Sequence, residues 1–346
     1  MEIPSVNNPM PRPKAPDRIV WVDACKGICI VLVVYGHISG GLGAGGSVLP
    51  NSFWLTLRQW VYLFHMPAFF ALSGFFAPRL SLLNGWKFLE GRLRTVFYPY
   101  VIWTFIIVGA QYAMARFVNN PVDFHRALFF LFEPYGYGLW FLHALFLIST
   151  IFYFLNRYLK SGPIMVGFGL LFSFLASRNI FGFWPNFNTA MEFFIFYAAA
   201  ACAPAKMHAT FLAVKPFRML AFSAALMTLV TFLFVLGWYQ VWFMSLVTAS
   251  TGIMGVAFLS IGVGQKSLGL FWAFLGSYSL EIYLGHPLWG TLARVVLERA
   301  RFNSAAGLVL GAVVLAVAGS LAVGVLCRSF HFPYLFRLPN KKPVVA

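Results

Sequence analysis

Three ionisable side chains, Asp23, Lys26 and His37, stand in the first apolar run of this 346-residue chain, IVWVDACKGICIVLVVYGHI. An ionisable group inside such a run costs free energy and marks a functional site. At about 100° per residue, the steps from Lys26 to His37 close to within about 20° of whole turns, and Asp23 lies about 60° from Lys26. One helical stripe therefore carries all three, with Ile30 and Val33 between them. Lys26 and His37 are then about 16 Å apart along the axis. An imidazole with a pKa of about 6.5 takes a proton from a hydroxyl near neutral pH, and Lys26 offers a fixed cation for an anionic ligand. Read blandly, Asp23 and Lys26 are an ion pair near a helix start and His37 caps the other end.

Further polar residues interrupt later apolar runs. Glu192 opens the sixth and Glu281 lies in the ninth, two of only nine acids in the chain. Either suits orienting an imidazole, meeting a hydroxyl or bonding a neighbouring helix. Tyr283 and His286 are three residues apart and share a helical face. His286 precedes Pro287, and either structural use or a place beside an acceptor fits it. Trp140 suits an interfacial belt as well as a ligand platform. His65, at the start of His-Met-Pro, reads mainly as part of helix packing around Pro67 and Ser73-Gly74.

The elements that must position these residues follow from composition. The chain is 60% hydrophobic and 10% charged, against about 25% charged in ordinary soluble domains. That excludes the soluble classes and predicts an all-α, polytopic transmembrane bundle. Apolar runs mark ten candidate spans at about 19–38, 54–76, 95–115, 138–156, 163–177, 189–203, 217–236, 241–263, 270–290 and 306–327. Segment 124–132 is too short to span and reads as interfacial or re-entrant. The net charge of +16 comes from basic residues gathered between apolar runs, mostly on the side of the N-terminus. Such a bias places both termini in the cytoplasm and leaves no basic face for nucleic acid. The predicted organisation is a cytoplasmic tail at 1–18, a membrane domain at 19–327 and a second cytoplasmic tail at 328–346.

Other signals point nowhere else. Cys25, Cys29, Cys202 and Cys327 make no Cys-x-x-Cys pair and read as inert thiols, and no metal site is expected. Gly41 to Gly46 formally matches a nucleotide-binding glycine pattern, but it follows a membrane helix and not a strand, so a flexible loop is expected there. Walker, zinc-protease and Gly-x-Ser-x-Gly hydrolase motifs do not occur.

The stretch from Arg18 through Asp23, Lys26 and Gly27 to His37 resembles the opening of the acyltransferase 3 family of integral membrane acyltransferases, which has Arg or Lys, ten residues, then His. FHMPAFFALSGFF (64–76), Arg92-Leu-Arg94 before Pro99-Tyr100, LWFL (139–142) and SLEIYLGHP (279–287) follow in the family's order, the first of them especially like its sugar O-acetylase branch. Many members place Arg-x-x-Arg before the third helix, whereas the nearest basic residues here are Lys87, Arg92 and Arg94.

The resemblance implies transfer of an acyl group, usually acetyl, from cytoplasmic acyl-CoA to a hydroxyl of a sugar, glycan or lipid-linked acceptor, at the inner membrane of a bacterium. His37 would act as general base, the favoured role, or itself carry the acyl group, with Lys26 and Asp23 as the other catalytic residues further along its stripe. Arg18, Lys26, Arg92 and Arg94 would hold the CoA, and Glu192, Glu281, Tyr283, His286 and Trp140 the acceptor. The competing reading is a transporter or flippase for a lipid-linked sugar or small solute, using the same polar residues as a pathway.

Overall fold

The computed structural model describes residues 19–48, 52–113, 129, 139–204, 210–264, 266–300 and 304–339. Arg18, the N-terminal tail, the last residues of the C-terminal tail and all of segment 124–132 but Phe129 lie outside them. The described residues are helical, with no strand among them. In chain order the helices are α1 (Val20–Ala44), α2 (Phe53–Tyr62), α3 (His65–Phe75), α4 (Ala77–Leu80), α5 (Gly85–Arg92), α6 (Tyr98–Ala113), α7 (Trp140–Leu159), α8 (Gly162–Ser177), α9 (Pro185–Cys202), α10 (Pro216–Val235), α11 (Trp242–Val263), α12 (Ser267–Ser277), α13 (Ser279–Arg299) and α14 (Ala305–Ser329).

Six helices among the described residues are long and apolar enough to cross a membrane: α1, Gly85–Ala113 (α5 and α6 joined by a π turn), α7, α10, α11 and α14. The remaining apolar runs form shorter or broken helices. A bilayer explains the outer surface, since α10 turns Phe217, Phe222, Leu229 and Phe232 outward, and α14 does the same with Leu310, Val314 and Leu326. Water would penalise so continuous an apolar exterior, whereas hydrocarbon does not.

The first helix is the hub. Of its most apolar window 61% is buried, against 22% for α10, and it packs on α2, α3, α11, α12, α13 and α14. Between lipid-bathed helices, close approach comes from small residues. A Cβ on Gly27 would strike the carbonyl of Trp272, and one on Gly276 the carbonyl of Asp23, so α1 and α12 touch backbone to backbone beside Asp23 and Lys26. Gly74 of α3 meets the carbonyl of Tyr197 on α9 in the same way.

Three expectations from the sequence are revised. The run 54–76 is two helices, because Pro67 has no N–H for the preceding turn and Phe64 leaves helical geometry at φ −137°, ψ −23°. The run 270–290 likewise divides at Tyr278, whereas Pro287 is carried inside α13. The loop expected from Gly41 is helix as far as Ala44, and the chain turns only at Gly45 and Gly46, the latter at φ +76°. Packing overrides glycine's weak helix propensity there, because Gly43 makes room for Leu55 of α2.

Candidate active site

The stripe read from the first run is one continuous helix in the structure. Near its start Lys26 Nζ lies 3.5 Å from Asp23 Oδ1 and 5.3 Å from the centre of the Phe76 ring. Arg79 approaches the same ring at 5.8 Å, so two cations flank one aromatic where α3 ends. Ile30 and Val33 are buried between Lys26 and the far end of the stripe.

At that far end three imidazoles from three elements converge. The His37 ring is 4.8 Å from that of His286 on α13, and His65 at the head of α3 lies within electrostatic reach of His37. His286 Nδ1 is 2.6 Å from the carbonyl oxygen of Tyr283, and His65 Nδ1 is 2.8 Å from that of Val61. A carbonyl only accepts, so each Nδ1 carries the proton and each Nε2 presents a lone pair. The local reasons differ. His65 shares the Val61 carbonyl with the Phe64 N–H, 3.3 Å away where α2 ends, and His286 bonds back within its own turn.

Exposure singles out His37. Gly36 and Ile38 on either side are buried, as are His65 and His286, yet His37 is exposed. Accessible space therefore reaches this imidazole inside the bundle, and among the described residues it makes no hydrogen bond. His286 Nε2 is buried without a hydrogen-bond partner there. A base open to a ligand thus stands beside a second imidazole with an unused lone pair.

The other sequence-derived candidates divide. Tyr283 packs near the cluster, its ring 5.8 Å from that of His286, and its hydroxyl accepts from the Phe141 N–H at 3.3 Å. Trp140 sits in an aromatic stack, 5.7 Å from Phe193 and 6.3 Å from Phe70. Glu192 on α9 is exposed and has no hydrogen-bond partner among the described residues. Glu281 is committed elsewhere. Its Oε1 accepts from Arg328 Nε at 3.0 Å, and Arg328 also donates to the carbonyl of Ser277. That pair ties α13 to the end of α14, and the structure does not bring Glu281 into the imidazole cluster.

The basic pair before the third span also separates into two roles. Arg94 bonds Glu90 at 2.8 Å and donates to the Pro339 carbonyl at 2.8 Å. With Trp103 Nε1 on the Leu335 carbonyl at 2.7 Å, it straps the C-terminal segment to α6. Arg92 is half-buried, lies 5.7 Å from the Phe88 ring and is within electrostatic reach of Tyr197, with no acidic partner among the described residues. Arg92 is the freer cation of the two.

Sequence reading undervalued His65 and passed over Arg58 and Tyr62. The Tyr62 ring is 4.8 Å from that of His65, and the Arg58 guanidinium lies 4.5 Å over Tyr62. Part of the signal was present: Arg58 and Tyr62 stand at i and i+4, one turn apart on α2, whereas His65 lies beyond the break at Phe64. His143, which had no pattern, is buried 5.4 Å from the Tyr100 ring, with Nδ1 unpaired among the described residues.

A bundle helical throughout its described elements, with a lipid-facing exterior and an imidazole cluster gathered about the exposed His37 of its central helix, is an integral membrane protein with a built polar site. Comparison with known proteins supplies the class of chemistry. The family model described as an acyltransferase domain matches residues 19–327, and the chain belongs to that acyltransferase 3 family. It is also similar to two proteins named nodulation protein NolL. That of Sinorhizobium fredii is 29% identical over 144 residues, 40% of this chain and 37% of the relative. That of Mesorhizobium japonicum is 34% identical over 95 residues, 25% of each chain. The matches thus span well under half the length of these relatives. No solved structure matches the chain.

Proposed function

We propose that this protein is a membrane O-acyltransferase that moves an acyl group, acetyl in the simplest case, from acyl-CoA to a hydroxyl of a sugar, glycan or lipid-linked acceptor. The observation that carries the reading is His37, an imidazole open to accessible space on the most buried of the six long apolar helices, beside the unpartnered Nε2 of His286. His37 acts as general base. It takes the proton of the acceptor hydroxyl as that oxygen bonds to the acyl carbonyl carbon, then returns a proton to the CoA sulfur as the C–S bond breaks. When His37 takes the proton, its second N–H turns to the unpartnered Nε2 of His286, whose ring is 4.8 Å away, and the imidazolium between these steps is stabilised.

The donor enters from the end of the bundle where α1 begins; the charge bias of the loops supports a cytoplasmic position for that end, and the family resemblance supports a bacterial membrane. Lys26, and from the third span Arg92, hold its phosphates together with Arg18, which lies outside the described residues, and Asp23 sets the position of Lys26. Arg94 supports that surface by fixing the C-terminal segment. About 16 Å of helix separates Lys26 from His37, a distance the extended pantetheine arm of CoA bridges. The acceptor approaches from the other side, past Tyr283, Trp140 and Glu192.

The test uses the full chain in nanodiscs with radiolabelled acetyl-CoA, the wild type beside His37→Ala and Lys26→Ala. CoA release or acyl labelling that vanishes in His37→Ala while donor binding persists supports the assignment. Lys26→Ala is expected to weaken donor binding instead. A folded wild type that binds no acetyl-CoA overturns the reading and moves transport of a sugar or solute to the front.

A further inference from the structure

Gly36, Gly40 and Gly43 form a furrow along α1, and α2 lies in it. A Cβ on Gly36 would strike the Tyr62 ring, one on Gly40 would come within 2.8 Å of Arg58 Nε, and one on Gly43 within 3.1 Å of Leu55. The spacing i, i+4, i+7 on one helix meets 62, 58, 55 on the other, so the two run antiparallel in close contact. This furrow sets a guanidinium against the backbone one residue from His37. Arg58 Nε donates to the Gly36 carbonyl at 2.9 Å, and its charge reaches both His37 and His65.

Two of the three guanidinium nitrogens remain unused. Among the described residues Arg58 makes no ion pair, and its terminal nitrogens donate no hydrogen bond. Its one bonded nitrogen and the Tyr62 ring beneath it fix the plane of the fork. A half-buried guanidinium held in one plane with two nitrogens open suits an anionic oxygen. The exposed imidazole of His37, one residue from that carbonyl, independently shows that accessible space reaches the same stretch of α1.

We propose that Arg58 is a catalytic residue of the acyl transfer, its two free nitrogens holding the oxyanion that forms at the acyl carbonyl. The proposal rests on the acyltransferase reading above. As the acceptor oxygen bonds to the carbonyl carbon, the C=O π pair moves onto oxygen while His37 takes the acceptor proton. Arg58 holds that negative oxygen. The pair then returns, the C–S bond breaks, and the CoA sulfur leaves with the proton from His37. A preorganised donor at a developing oxyanion is worth about 10²–10³ in kcat.

The experiment measures CoA release from acetyl-CoA by the full chain in nanodiscs, with water as the simplest neutral acceptor. Arg58→Gln is expected to lower kcat about 10²- to 10³-fold with KM for acetyl-CoA unchanged. Arg58→Lys fills the furrow and keeps the charge but loses the fork, and it should fall at least about tenfold. Ethylguanidinium should restore part of the rate to Arg58→Ala and none to His37→Ala, which a purely structural role for the arginine would not produce. An Arg58→Gln chain as fast as an active wild type overturns the proposal and leaves the acyltransferase reading standing. A wild type that neither binds acetyl-CoA nor releases CoA overturns both. A raised KM for an anionic acceptor with kcat unchanged assigns Arg58 to acceptor binding and overturns the oxyanion role.

Discussion

Substituting Gly27 by alanine isolates the contact that anchors the Lys26 end of the site. A Cβ there falls under 3.0 Å from the carbonyl oxygen of Trp272, a backbone atom that no rotamer change can move. Carbon meets carbonyl oxygen comfortably only at about 3.3 Å or beyond, so α1 and α12 must separate along their whole contact. Overpacking of this kind costs about 1–3 kcal/mol, and a rigid backbone obstacle puts Gly27 at the upper end. Alanine returns about 1 kcal/mol through helix propensity. The net loss is about 2 kcal/mol, roughly a 30-fold fall in the ratio of folded to unfolded chain.

Gly41 supplies the control within the same helix. It has nothing within 4 Å of its Cβ position, so Gly41→Ala should be neutral or stabilising by up to about 1 kcal/mol. The assay is thermal unfolding in one detergent, read as the monodisperse fraction after heating, for wild type, Gly27→Ala, Gly276→Ala and Gly41→Ala. The two contact variants should melt several degrees lower and the control at or above wild type. Displacing Lys26 should also raise KM for acetyl-CoA in any Gly27→Ala that survives. Equal melting temperatures for Gly27→Ala and Gly41→Ala would refute the backbone contact and the placement of α12 against α1.

Three further outcomes test how the polar residues divide. Glu281→Gln should lower thermal stability, since it leaves the Arg328 guanidinium without its carboxylate; acyl transfer per folded molecule should persist, and a selective rise in acceptor KM would return Glu281 to the acceptor site. Arg94→Ala should free the 333–339 segment, seen as faster proteolysis there, with at most a few-fold change in KM for acetyl-CoA. Arg92→Ala should raise that KM about tenfold or more, as loss of a charge-assisted contact to phosphate does; an unchanged KM would remove Arg92 from the donor site.

Much of this molecule follows from local chemistry. Scarce charge and long apolar runs dictate a membrane bundle, because a chain this apolar has nowhere else to hide its surface. The stripe of Asp23, Lys26 and His37 follows from helical period alone, and so does the pairing of Tyr283 with His286. Residues far apart in the chain are another matter. Glu281 and Arg328 are 47 positions apart, and no period reveals that one neutralises the other. Arg94 looked as free as Arg92 until the C-terminal segment folded back on it. His65 and Arg58 became part of the site only when α2 settled into the glycine furrow of α1, since imidazoles on separate helices meet through interhelical packing. Helical period places a side chain on a face; which face meets which depends on small residues such as Gly27, Gly36 and Gly276, whose missing Cβ atoms decide where two backbones can touch.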